Sequence, residues 1–203
     1  MLKTNTSILF VIISIWFSPD SFGQIFREKQ IDISTGAGID PTFNYQYEMR
    51  QISGNIAVNY SISDAISLGA FFTRFAANRR YSGLTMQPPG NSGNVWMEDH
   101  IWHMHLFCIQ GTYHFGKIIK IKNVDLYSGL KTGYNFVNHT LRTQNPTPYS
   151  TEWVQSDYQG GFVFSVYAGC QYNFIKYVGV FAEAGYGITY YNVGMNFRIT
   201  EGK

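Results

Sequence analysis

Residues 162–174 read FVFSVYAGCQYNF, and this stretch decides the fold of the chain. From Phe162 to Phe174 every second side chain is apolar, small or aromatic, whereas the positions between them include Ser165 and Asn173. A period of two belongs to a β-strand, whose side chains alternate between the two faces of a sheet, and a helix cannot satisfy it. An apolar face backed by a polar or small one is typical of strands in membrane barrels.

Seven further segments repeat this alternation and predict seven more strands. They cover about 29–38, 51–60, 65–76, 101–115, 124–137, 177–186 and 191–199. The connections alternate in length, with short ones such as 175–176 and long ones at 39–50, 77–100 and 138–160. Outer-membrane barrels have short periplasmic turns and longer external loops. The sequence therefore predicts an all-β fold, an eight-stranded antiparallel up-and-down transmembrane β-barrel in the cell outer membrane.

The beginning of the chain has the pattern of an export signal. Lys3 precedes an apolar run at 8–17, and small residues stand at Ser21 and Gly23. This order predicts a signal peptide at 1–23, cleaved before Gln24, and a barrel domain at 24–203.

Composition agrees with a membrane barrel and excludes one class of partner. Charged residues make up 14% of the chain, against about 25% in soluble domains. The mean hydropathy of −0.13 is too low for a bundle of membrane helices, which need long apolar spans. A formal net charge of +2 gives no basic field suited to nucleic acid, so we expect no nucleic-acid partner.

Aromatic residues gather toward the predicted ends of the strands. Membrane barrels carry one aromatic girdle at each interface, so we expect these residues to form two such rings. The outer girdle is predicted to contain Trp96, Trp102 and Trp153, and the periplasmic girdle Tyr60, Tyr113, Phe115, Tyr172, Phe174 and Tyr177.

Four charged residues fall on the predicted inward faces. They are Lys131, Glu183, Asp32 and Arg198. Eight strands leave an interior just wide enough for side chains, so an open aqueous pore is not expected. Because buried charges must be compensated, we expect Lys131 and Glu183 to belong to one interior ion-pair network. A proton or ion path through these groups is the alternative.

Candidate chemistry elsewhere is weak. His100, His103 and His105 follow the longest predicted loop, but no second cluster has metal-ligand spacing, and His105 is expected to be an interior residue near the mouth. Asp99 before His100 is only a weak catalytic dyad. We expect no metal site, cofactor or catalytic residue. Cys108 and Cys170 lie on strands separated by a third, too far apart for a disulfide.

Two glycine-rich segments carry a family resemblance. LYSGLKTGY at 126–134 and FAEAGYG at 181–187, with the Ser-Phe-Gly-Gln end of the signal segment, resemble small outer-membrane β-barrel ("porin family") proteins of Bacteroidota. The resemblance covers the whole predicted mature chain and implies an outer-membrane location. It implies no assigned biochemical activity.

The expected role follows from the scaffold, since loops held by a rigid scaffold often carry binding. We expect a non-enzymatic barrel that presents extracellular loops for surface interaction or envelope integrity. Its expected partners are outer-membrane lipid and an unknown extracellular molecule. Two alternatives stay open: an outer-membrane enzyme that modifies lipid, and a soluble secreted barrel that binds a ligand.

Overall fold

The computed structural model describes residues 29–41, 48–85, 94–117, 121, 123–144 and 153–200. The predicted signal peptide at 1–23 lies outside these residues. No helix in the described part of the chain is long and apolar enough to cross a membrane.

Eight strands form one closed barrel in which each strand is hydrogen-bonded to its neighbours in chain order. They are β1 (Gln30–Pro41), β2 (Glu48–Ser61), β3 (Ile66–Thr85), β4 (Asn94–His114), β5 (Val124–Gln144), β6 (Trp153–Ile175), β7 (Val178–Tyr186) and β8 (Thr189–Thr200). All pairs are antiparallel, and β8 closes the ring by pairing with β1, where Arg198 lies opposite Asp32. The prediction of an eight-stranded up-and-down barrel is confirmed.

The outside of the barrel is apolar and its inside is polar. Phe107, Ile109 and Phe162 point outward and are 55, 69 and 91% exposed, whereas Asn55 and Ser165 point inward and are buried. This distribution inverts that of a soluble protein and follows the predicted alternation on every strand. Such a surface fits hydrocarbon, so the chain is a transmembrane barrel of the outer membrane, and the soluble alternative fails.

Four strands are much longer than the sequence predicts. β3 to β6 contain 20, 21, 21 and 23 residues, against 9 to 14 in the other four strands. Their outer parts, 75–85, 94–104, 137–144 and 153–161, form a continuous four-stranded sheet, which we call the extracellular sheet. The predicted loops at 77–100 and 138–160 are therefore wrong over most of their length, because these segments continue the strand ladders.

The two cysteines are free. Cys108 on β4 is buried in the interior, whereas Cys170 on β6 is exposed on the outer surface. The expectation of two unpaired thiols is confirmed, because the two side chains lie on opposite sides of the barrel wall as well as on non-adjacent strands.

Candidate functional site

The barrel interior is organised around Glu183 on β7. Its carboxylate lies 3.0 Å from Lys131 Nζ, and it accepts hydrogen bonds from Tyr127 at 3.2 Å and Asn192 at 3.1 Å. Asn192 in turn accepts a hydrogen bond from Asn55 at 2.8 Å. The structure thus joins Lys131 and Glu183, which the sequence placed on inward faces, across the lumen between non-adjacent strands. This arrangement supplies the donors and the opposite charge that a buried carboxylate needs.

Lys131 also lies between two aromatic rings. Its ammonium group is 4.3 Å from the centroid of Phe71 and 4.1 Å from that of Tyr167, distances at which the ring faces attract a cation. Tyr167 can cross β5 to reach Thr112 at 2.6 Å because Gly129 stands between them, and a Cβ there would touch the tyrosine ring. The lysine is therefore fixed by its surroundings on several strands.

Asp32 and Arg198 form a second pair, nearer the periplasmic end. Arg198 Nε donates to Asp32 at 2.9 Å, and Gln30 donates to the same carboxylate at 2.8 Å. These residues belong to β1 and β8, so the pair bridges the seam at which the barrel closes. The four predicted interior charges thus form two distinct ion pairs.

A third cluster was not recognised in the sequence. Ser67 Oγ lies 3.1 Å from His114 Nε2, and His114 Nδ1 lies 2.6 Å from Asp125 Oδ2. The order of serine, histidine and carboxylate is that of a hydrolase triad. No local motif reveals it, because the residues come from β3, β4 and β5 and meet only through the strand register.

Space around this cluster is too small for a substrate. Ser67 is 1% exposed, and the adjoining cavity, which Tyr127 and Glu183 also line, has a volume of about 40 Å³. Because one water needs roughly 10–15 Å³ of such a volume, the cavity holds about three water molecules. The cluster therefore has the contacts of a catalytic triad without room for an acyl group beside the serine.

The inner face of the extracellular sheet carries a group of stacked rings. His100 Nδ1 and His139 Nε2 lie 3.0 Å apart, and their rings are nearly parallel. The indole of Trp102 stacks on both, with centroids 5.6 Å from His100 and 4.9 Å from His139. Trp102 also packs against Phe75 and Met104. The prediction that Trp102 belongs to the outer girdle is wrong, since it shares the inward face of β4 with Met104.

The acid–base behaviour of this ring group follows from its packing. Burial lowers the pKa of His139 from its usual 6.5, and repulsion by His100 lowers it further, while Asp157 opposes the shift. Glu98 lies 3.7 Å from the other side of His100. The lowered pKa favours the neutral imidazole of His139, which can donate to or accept from the ring nitrogen of His100. No group of three or more metal-ligating side chains is found among the described residues.

We expect the extracellular sheet to loosen in acid. Because the pKa of His139 is lowered in the closed sheet, an opened sheet binds the proton first as the pH falls below about 6.5. Stability is therefore complete above that pH and declines as the pH drops through the lowered pKa. Hydrogen exchange, corrected for intrinsic rates, is expected to show faster opening of 137–143 at about pH 5.5 than at about pH 7.5. An unchanged pH dependence in His139→Gln would contradict this cause.

The six residues of the predicted periplasmic girdle lie near one end of the barrel. Tyr60, Tyr113, Phe174 and Tyr177 are exposed on the outer surface, and Phe115 and Tyr172 are partly buried there. Tyr113 and Phe115 make an edge contact at 5.1 Å. Trp96 and Trp153 lie on β4 and β6, but their side chains lie outside the described part of the structure.

A band of phenylalanine and tyrosine side chains lies higher on the outer surface, across β3 to β6. Their rings form a chain of contacts, with centroids 4.7 Å apart for Phe72 and Phe107 and 6.0 Å apart for Phe107 and Phe136. The chain continues from Phe136 to Tyr134 at 5.0 Å and from Tyr134 to Phe162 at 5.4 Å. We call these five residues the outer ring. Sequence reasoning placed several of them on the lipid face but assigned the girdle to tryptophans instead.

The position of His105 differs from the predicted one. It lies on the outward face of β4, in step with Phe107, and its ring is 6.4 Å from that of Phe72. The prediction of an interior position is wrong because inward positions on β4 are even-numbered. His103 shares the outward face, whereas His100 lies on the inward one.

Comparisons with known proteins find similar structures but no related sequence. No family model and no curated protein sequence matches the chain. Among solved structures, the N-terminal β-barrel domain of Pseudomonas aeruginosa OprF is similar, with 15% identity, a TM-score of 0.48, and coverage of 85% of this chain and 98% of that one. Ail, the attachment invasion locus protein of Yersinia pestis, crystallised with the heparin analogue sucrose octasulfate, has 14% identity and a TM-score of 0.49, with 85 and 99% coverage. Ail without that ligand gives 13% and 0.46, with the same coverage.

Proposed function

We propose that this protein is an outer-membrane scaffold whose extracellular sheet binds an extended segment of a partner protein at the cell surface. The observation that carries the proposal is the edge of β6. Among the described residues, this strand pairs from Trp153 to Val163 with β5 alone, and its ladder with β7 begins only at Val166. An unpaired edge presents a row of backbone donors and acceptors that another strand can complete.

The composition of this edge favours binding over protection. Natural proteins blunt free edges with lysine, proline or bulges. Between Trp153 and Val163 there is no lysine or proline, and Asp157 is the sole charged residue. Residues 154–162 are all exposed, including Tyr158 at 79%. The edge therefore accepts a neutral or basic extended peptide with alternating side chains, through main-chain hydrogen bonds.

The barrel below makes the sheet a stable platform. Inside the barrel, Lys131 on β5 contacts Phe71 on β3 and Tyr167 on β6, and the stacked rings of Trp102 and His139 join β4 to β5 above it. Binding costs less free energy when the binding element is already ordered. This rigidity supports a scaffold role, either in surface interaction or in the integrity of the envelope.

A lysine on the free edge tests the proposal. Gly161→Lys is suitable because a Cβ at Gly161 meets no atom within 4 Å. A phage-displayed library of short random peptides is selected on the whole barrel in micelles. We expect selection of proline-free peptides with β-forming residues, and a loss of roughly tenfold in their affinity for Gly161→Lys, because the charge blocks strand addition.

Thr143→Lys is the matched control. It places the same residue on the same inward face but on β5, where Thr143 is paired with Glu98 on one side and with Trp153 on the other. The selected peptides are expected to bind this variant like the native protein. No enrichment of extended peptides, or equal binding to Gly161→Lys, would overturn the proposal.

We further propose that the chain is not an enzyme and that Ser67, His114 and Asp125 have a structural role. Support comes from the burial of Ser67 and the small adjoining cavity. The hydrogen bonds tie three neighbouring strands together at the periplasmic end.

Reactivity of Ser67 provides the test. A fluorophosphonate probe is expected to leave the folded barrel unlabelled, since a reagent cannot reach the serine. Ser67→Ala is expected to lower the free energy of unfolding by about 1 kcal/mol, through loss of a buried hydrogen bond. Labelling at Ser67 that disappears in His114→Gln would establish an activated nucleophile and contradict a purely structural role for the three residues.

Family membership is a further part of the proposal. We propose that the chain belongs with the small outer-membrane "porin family" barrels of Bacteroidota, on the glycine-rich segments at 126–134 and 181–187. In the first segment, Gly129 makes room for Tyr167 inside the barrel. Homologues that keep glycine at 129 wherever they keep the inward tyrosine would support this grouping.

A further inference from the structure

An arginine and a histidine stand one outward position above Phe72 and Phe107 of the outer ring, on the outer surface of the barrel. Moving toward the extracellular end, the outward residue that follows Phe72 on β3 is Arg74. On the antiparallel strand β4, the outward residue that follows Phe107 in this direction is His105. The two lie opposite each other in the β3–β4 ladder. Arg74 is exposed, and among the described residues no carboxylate lies within salt-bridge distance of it.

This placement is unfavourable without an anion. An arginine on the lipid face of a barrel costs free energy that falls toward the interface, so its guanidinium must reach the headgroup layer. A second cationic group directly opposite adds repulsion whenever the imidazole is protonated. An anion held between Arg74 and His105 removes both costs.

The charge on the two faces of the extracellular sheet differs in sign. Arg80 and Arg142 stand with Asp99 on the outward face of the sheet, and Arg74 lies just below the sheet on the same face. Together they give three positive charges against one negative, or +2. Arg80 holds Asp99 at 2.6 Å, and the proximity of that carboxylate raises the pKa of Arg80. On the inward face, one positive charge on Arg79 stands against Glu98 and Asp157, which gives −1. The excess positive charge therefore lies on the outward face, toward the headgroup layer.

We propose that Arg74, with His105 and His103 beside it, binds a phosphate group of an outer-leaflet glycolipid headgroup. The guanidinium offers paired donors that match a phosphate, and the imidazoles add donors when protonated. The outer ring just below fixes the depth at which the headgroup lies, because aromatic rings sit at the interface. The proposal rests on the outer-membrane location and is independent of peptide binding at β6.

The test compares one lipid with and without its phosphates. Bisphosphorylated lipid A and its dephosphorylated form are titrated into the whole barrel in zwitterionic micelles, and amide NMR shifts at 74 and 105 are followed. We expect roughly tenfold tighter binding of the phosphorylated lipid, and a loss of about that factor in Arg74→Gln, as for hydrogen bonds between charged groups. His105→Gln is expected to weaken binding at about pH 6 more than at about pH 8.

Arg79→Gln is the control, since it removes the same charge from the same strand, five residues further along β3 and on the opposite, inward face. It is expected to bind the phosphorylated lipid like the native protein. Equal affinity for the two lipids, or equal loss in Arg79→Gln, would overturn the site. Inorganic phosphate that gives the same shifts at the same phosphate concentration would overturn the headgroup as its ligand. None of these outcomes changes the result expected for Gly161→Lys, so failure here is distinct from failure of the proposed function.

Discussion

Replacement of Lys131 by methionine is expected to lower the free energy of unfolding by about 3 kcal/mol, because it leaves the carboxylate of Glu183, whose side chain is only 13% exposed, without its cation. Methionine has nearly the shape of lysine and keeps the contacts with Phe71 and Tyr167, so the loss reports the charge. Glu183 retains Tyr127 and Asn192 as donors, but neither supplies an opposite charge. Urea unfolding in detergent micelles, followed by circular dichroism, measures the change.

A double variant separates the charge from the shape. Lys131→Met with Glu183→Gln removes both charges and keeps acceptors for the two remaining donors, so we expect recovery by a coupling energy of about 1–3 kcal/mol. Arg80→Met is the exposed counterpart, since Arg80 pairs with Asp99 but is 66% exposed, and solvent screening leaves its variant nearly as stable as the native barrel. A Lys131→Met variant as stable as Arg80→Met would refute the interior pair as a source of stability.

The membrane-crossing part of the fold could be predicted because its two faces meet different surroundings. Lipid outside and a packed lumen inside impose a period of two on every crossing residue, as at 162–174. The same alternation placed Lys131 and Glu183 inside. The same alternation also puts Trp102 on the inward face with Met104 and His105 on the outward face with Phe107. The predictions for these two residues were wrong because they relied on residue type and on distance along the strand instead of on the face that each position occupies.

The extracellular sheet could not be predicted in this way. Above the membrane, the strands at 77–85 and 153–161 meet no lipid, so apolar residues do not alternate and the segments resemble loops. Their strand structure depends on pairing with neighbours, for example His139 with Trp102, which no local pattern encodes. The length of each strand outside the membrane is thus determined by its hydrogen-bonded pairing with the neighbouring strands.

The interior contacts needed knowledge of strand register. Ser67, His114 and Asp125 come together because Ile66 lies opposite Tyr113 and Tyr113 opposite Ser128. A shift of two residues in either ladder would keep every side chain on its face and still separate the three. The sequence therefore predicts which residues face inward but not which of them meet.

Arginine in place of Leu130 is expected to cost about 2–4 kcal/mol of unfolding free energy, because this site lies in the middle of the lipid-facing belt. Leu130 is 52% exposed on the outer surface of β5, between Gly111 and Val166 on the adjacent strands. In a soluble protein, arginine at so exposed a site would change stability little. The size of the loss, measured by urea unfolding in lipid bilayers, therefore reports the solvent around the barrel.

Thr140→Arg supplies the depth control on the same strand and the same face. Thr140 lies in the extracellular sheet, above Phe136 of the outer ring, where an outward arginine meets headgroups and water and costs about 0–1 kcal/mol. The difference between the two sites should follow depth, because the penalty comes from removing a charge from water. Equal costs at Leu130 and Thr140 would mean that hydrocarbon does not surround the belt, and the assignment of this surface to the membrane would fail.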